Sequence, residues 1–171
     1  GLACRTFRDM TGGTQLVSTT LYGTAYYLNQ STTLTGVKFF QQVQGVYTAS
    51  NENRFGLYTY SNGVLTLVAS TSNNGNLWKG TTGTFVAEPF SSTYTAAAGL
   101  YFIAGVWSSS ATTTFPQMGH GGAKILANVS NGDFTNTARF TFTLGTQTSL
   151  PSSITLSTTT AVTTNIAFFL Y

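Results

Sequence analysis

The chain has 171 residues, 42% of them hydrophobic but only 6% charged, with a formal net charge of +3, whereas ordinary globular domains are about 25% charged. That length suits one domain with a full core. Its seven basic residues form no run, which argues against a nucleic-acid face, and no apolar stretch reaches the ~18 residues of a membrane helix.

A single cysteine, Cys4, allows neither an intramolecular disulfide nor a cysteine-based metal site. In chain order, residues 1–13, ending in Thr-Gly-Gly, read as a lead-in or tether without a signal-peptide layout. The absence of an initiator Met suggests a processed or excised piece. Residues 14–171 read as the domain. Helical periodicity is missing and β-branched and aromatic residues dominate, so strands are expected at 14–21, 26–28 and 36–43. The hairpin signal is strongest at 54–70, where 55–60 and 64–69 flank Ser61-Asn62-Gly63. Asn-Gly supplies the positive φ angles of a tight turn.

A further strand at 84–87 is expected at a sheet edge because Pro89 follows it. Strands at 99–107, 124–129, 138–145 and 165–171 complete the set. Long polar loops separate them at 70–83, 108–122 and 145–153. Short strands with turn signals between them read as an all-β sandwich.

Two strands have no polar face. In 99–107, Leu100, Phe102 and Val106 share one side, and Tyr101, Ile103 and Trp107 the other. In the last run, Ile166, Phe168 and Leu170 oppose Ala167, Phe169 and Tyr171. Left wet, each large side chain forfeits about 1.5–3 kcal/mol. Either sister copies of the chain or another segment of the same chain covers the second face. Self-association is the expectation, with Tyr101, Ile103, Phe168, Phe169 and Tyr171 at the interface.

Residues that carry chemistry are sparse. The four acids, Asp9, Glu52, Glu88 and Asp133, are far apart in sequence, and glycoside hydrolysis needs two carboxyls about 5–10 Å apart. His120 is the sole histidine and has no companion ligand nearby. No enzyme, metal site or cofactor is therefore expected. The Asn-rich stretches 50–54 and 130–134 read as turns whose amides cap their own backbone, with Glu52 and Arg54 as a surface ion pair. Trp78 sits in a polar loop among Asn73, Asn74, Asn76 and Lys79. An aromatic in such a setting stacks on a sugar ring while amides bond its hydroxyls, or it plugs the end of the sandwich. Phe115 and His120 in the second long loop are further contact candidates.

Ala98-Gly99-Leu100-Tyr101-Phe102 and the closing Asn165–Tyr171 run resemble strands of the complement globular-head and tumour-necrosis-factor-like trimers. That resemblance implies a jelly roll working as a homotrimer. Residues 45–107, with Asn53-Arg54-x-Gly56-Leu57-Tyr58, Leu65-Thr66-Leu67-Val68-Ala69-Ser70 and Leu77-Trp78-Lys79, are similar to a module of tailed-bacteriophage tail- and head-fibre proteins. This implies a virion protein, made in the host cytoplasm, that contacts a bacterial surface glycan and attaches to other virion proteins through residues 1–13. The alternative is a purely structural head-fibre, decoration or collar protein with no ligand.

Overall fold

The computed structural model describes residues 10–47, 52–108, 112–121, 141–162 and 165–171. Within them the protein is all-β, with two antiparallel sheets and a short ribbon of β4 (Val46–Tyr47) and β9 (Thr112–Thr114). The first sheet centres on β3 (Thr32–Val43), with β7 (Thr84–Ala96) along one side. Its other side meets β10 (Gln117–Gly121) and β15 (Phe168–Leu170), and β1 (Met10–Gln15) lies beyond β10. The second sheet runs in the order β12 (Ser153–Thr155), β6 (Val64–Ser70), β5 (Arg54–Ser61), β8 (Gly99–Trp107), β2 (Thr20–Leu28), β11 (Thr141–Leu144), β13 (Thr160–Ala161).

The apolar closing run of the sequence is inserted within the first sheet. β10 pairs with β3 at Gln117 and Met118 and then diverges from it. The gap is filled by β14 (Asn165–Ile166), in register with Gly121 and His120, and by β15, whose Phe168 and Leu170 face Phe39 and Val37. Ile166, Phe168 and Leu170 are buried in the core between the sheets, beside Phe39, Phe55, Trp78 and Ile103. β14 pairs with β10 and β15 with β3, and it is the core beneath them that calls for the apolar residues Ile166, Phe168 and Leu170.

The second sheet curls strongly. Its outermost strands, β12 and β13, would stand about 29 Å apart if the seven strands lay flat at their usual spacing of about 4.8 Å. Five residue steps, Thr155 to Thr160, join them, and a chain of that length reaches at most about 18 Å. The sheet therefore wraps round a second core of Leu21, Tyr58, Leu65, Phe102, Val106 and Phe142. The segment between β11 and β12 contributes Leu150 to this core, and β12 with the turn after it contributes Ile154 and Leu156. The Tyr58 hydroxyl donates to the Pro151 carbonyl at 2.8 Å, and the Leu150 N–H donates to Glu52 Oε2 at 2.7 Å. Gly23 is needed here, because a Cβ at that position would drive into the Phe142 ring.

This arrangement corrects the expectation for β8. Tyr101 and Ile103 face the core between the sheets, and Phe102 and Val106 face the curled core. Both sides are covered by the chain itself, so Tyr101 and Ile103 are not available to a sister copy; nor is Phe168, buried beneath β15. Phe169 and Tyr171 are half-buried on the outer face of the first sheet.

The hairpin of β5 and β6 forms as expected, with φ of 48° at Asn62 and 81° at Gly63. Among the described residues β7 pairs along its length with β3 and makes one further bridge, Phe90 to Thr71, an edge position that accommodates Pro89. The strand expected at 14–21 is broken instead. Residues 10–13, assigned to the lead-in, belong to β1, and the chain turns through Leu16–Thr19 before β2. Thr19 takes a φ of 61° there, and the Tyr22 hydroxyl accepts the Val17 N–H at 2.9 Å. The strand expected at 124–129 and the start of 138–145 lie outside the described residues, as do residues 1–9.

Candidate ligand-facing loop end

The strand directions sort the loops onto two ends. β1 starts at Met10, opposite Gly121, and finishes at Gln15, opposite Gln117, which in turn pairs with Val43. At that finishing end lie the Leu16–Thr19 turn, Gly45, Asn53, the 71–83 loop, Ser108 and Phe115, linked by Leu16 N–H to Pro116 O, Thr19 N–H to Trp107 O and Gly45 N–H to Trp78 O. The start of β1, the Asn62–Gly63 turn and the carbonyl of Tyr171, which accepts the Thr35 N–H, lie at the other. Both loops expected to make contacts therefore emerge at one end, away from the point where β1 begins.

The 71–83 loop is held from inside. Trp78 lies in a 3-10 turn, Leu77–Lys79, and is 1% exposed. Its indole packs against Phe39 and Phe55 with ring centroids 5.2 and 5.7 Å away, and Phe55 in turn meets Phe168 at 5.3 Å. The indole N–H donates to Asn53 Oδ1 at 2.9 Å. Trp78 is thus removed from the contact set: it plugs the end of the sandwich, and a sugar ring could not reach its face.

Asn53 is the residue that sequence reasoning missed. It is fully buried, and its Oδ1 accepts from both Trp78 and the Ser108 N–H at 3.0 Å, while its Nδ2 donates to the Ser108 carbonyl at 3.0 Å. Its own N–H donates to Asn73 Oδ1 at 2.8 Å, and its carbonyl accepts the Asn74 N–H at 3.0 Å. One amide therefore ties together the two loops that follow β6 and β8. The expectation that it caps its own backbone is corrected: a turn-like sequence hid a buried hub, because every partner is distant along the chain. Buried Gln41 adds a further tie, donating through Nε2 to the Trp78 carbonyl at 2.5 Å.

The other expected contact residues divide. Asn74 is partly buried, with its Oδ1 accepting the Asn76 N–H and its Nδ2 donating to Glu88 Oε1, both at 3.0 Å. Burial raises the Glu88 carboxyl above its ordinary range, and the Asn74 bond works the other way. Asn73, Asn76 and Lys79 are exposed. Phe115 is 39% exposed, with its ring 5.9 Å from that of Trp107. His120 sits on β10, in register with Gly12 and Ile166, so it is not in the loop with Phe115; its side chain lies outside the described set.

No family model matches this sequence, and no curated protein matches it either.

The described carboxylates each have a structural partner: Glu52 pairs with Arg54 at 3.0 Å and Glu88 holds Asn74. Asp9, Asp133 and the 130–134 stretch lie outside the described residues. Among the described residues, no three His, Cys, Asp or Glu side chains come together. A second surface feature lies on the outer face of the first sheet. Phe85, 48% exposed, meets Phe40 at 5.1 Å and Phe169 at 6.1 Å, and Lys38 Nζ stands 4.8 Å from the Tyr171 ring centroid.

Proposed function

We propose that this protein is a fibre or spike domain of a tailed-phage virion that binds a bacterial surface polysaccharide without cleaving it. The observation that carries the reading is the loop end: exposed Asn73, Asn76 and Lys79 stand on a loop fastened from beneath by Trp78 and Asn53, at the end away from the start of β1. A pre-ordered polar loop loses little conformational freedom on binding, and amides beside an exposed aromatic suit sugar hydroxyls and ring faces. Residues 1–9 would then lead toward the particle and the loops toward the host.

The domain is proposed to be a jelly roll acting as a homotrimer, with the interface at Phe40, Phe85, Phe169 and Tyr171. Aromatic side chains half-open to water on a sheet face gain by mutual burial. Three weak sites on one rigid body reach useful avidity.

The test is adsorption. Purified protein should compete with phage particles for host cells, and Asn76→Ala combined with Lys79→Ala should remove that competition while leaving the melting temperature unchanged. Undiminished competition by the folded double variant would overturn the assignment of this loop. Binding by a variant disrupted at the opposite end alone should be unaffected.

A further inference from the structure

Two Asn-Gly pairs among the described residues, Asn62-Gly63 and Asn74-Gly75, have the same local chemistry. In such a pair the backbone nitrogen of Gly can attack the Asn side-chain carbonyl carbon. The new N–C bond closes a five-membered imide, and the side-chain nitrogen leaves as ammonia, taking up the proton lost from the glycine amide. Water then opens the ring at either carbonyl, giving aspartate or isoaspartate. The reaction needs the side chain to rotate onto the following nitrogen, so the fold decides which pair reacts.

At Asn74 the fold resists it. Its Oδ1 is held by the Asn76 N–H, its Nδ2 by Glu88 and its own N–H by the Asn53 carbonyl. At Asn62 the side chain is exposed on a hairpin tip, and a Cβ built on Gly63 would meet nothing within 4 Å. The Gly63 carbonyl is fixed by the Leu156 N–H at 2.9 Å, but this restrains the peptide bond after Gly63, not the one that must react.

We infer that Asn62 is a spontaneous modification site of the folded protein, converting to aspartate and isoaspartate while Asn74 is protected. The consequence is structural. Isoaspartate places an extra carbon in the backbone of a two-residue turn, between paired Ser61 and Val64. The same turn anchors Leu156, at the start of the short connection that joins the two margins of the curled sheet. Conversion therefore loosens the closure of that sheet.

The experiment is to age the intact chain in mildly alkaline buffer below its melting temperature, and to map peptides by mass and by enzymatic methylation of isoaspartate. Asn62 should convert many-fold faster than Asn74, and the gap should close in denaturant. The aged fraction should melt lower, and Asn62→Ser should abolish both the conversion and the fall. Equal rates at the two sites in the folded protein would overturn the inference, as would an Asn62 that stays intact while the unfolded chain converts.

Discussion

Replacing Trp78 tests the loop architecture directly. Large-to-small changes of buried Trp or Phe cost about 3–5 kcal/mol. At 1% exposure, with two rings at 5.2 and 5.7 Å, Trp78→Ala belongs near the top of that range. Trp78→Phe keeps a ring against Phe39 and Phe55 and gives up chiefly the indole bond to Asn53, about 0.5–1.5 kcal/mol, plus a modest void. Asn53 Oδ1 retains the Ser108 N–H, so the smaller change leaves no orphaned buried acceptor. Since a domain is stable by about 5–15 kcal/mol in total, the Ala variant is expected close to its unfolding limit, whereas the Phe variant stays measurable. Urea unfolding followed by Trp107 fluorescence and by circular dichroism gives both values. An Ala variant within about 1 kcal/mol of the parent, no more than an ordinary substitution costs, would refute the anchoring role. So would full stability accompanied by lost cell binding, which would return the indole to the contact surface.

Other expectations follow from the same contacts. Gly23→Ala should destabilise the curled sheet by about 1–3 kcal/mol through overpacking, and combining it with Phe142→Leu should restore part of the loss in the same urea assay. Leu150→Ala should cost about 2–5 kcal/mol, because Leu150 is buried in the curled core; a negligible change would show that the segment does not cover the sheet. Glu88 has a folded-state pKa above its ordinary 4.5, so its contribution is most favourable at acid pH and is lost as pH rises from about that value through the raised one. Glu88→Gln, which keeps an acceptor for Asn74, should flatten that part of the stability profile; an unchanged slope would assign it to other groups. Phe85→Glu on the outer face of the first sheet should shift sedimentation from trimer to monomer without loss of fold, and a parent protein that sediments as a monomer would sink the interface.

Much of the fold was legible because it is written locally. The Asn62-Gly63 pair dictates a hairpin through its positive φ angles. The alternation along β8 and the closing strands showed that both sides of each are apolar, and strand spacing gave the all-β class. Alternation reports that a face is kept dry, but not what covers it. The cover on β8 came from Leu150, Ile154 and Leu156 of the same chain, tens of residues away. The role of Trp78 was equally undecidable in sequence, since a polar loop surrounds it whether it points outward or inward. Asn53 settled the matter through bonds to residues 20 to 55 positions distant. Local geometry is set by each residue's own backbone preferences. Burial and polar pairing depend on which distant segments meet, and only the curl of one sheet and the insertion of β14 and β15 into the other decided that.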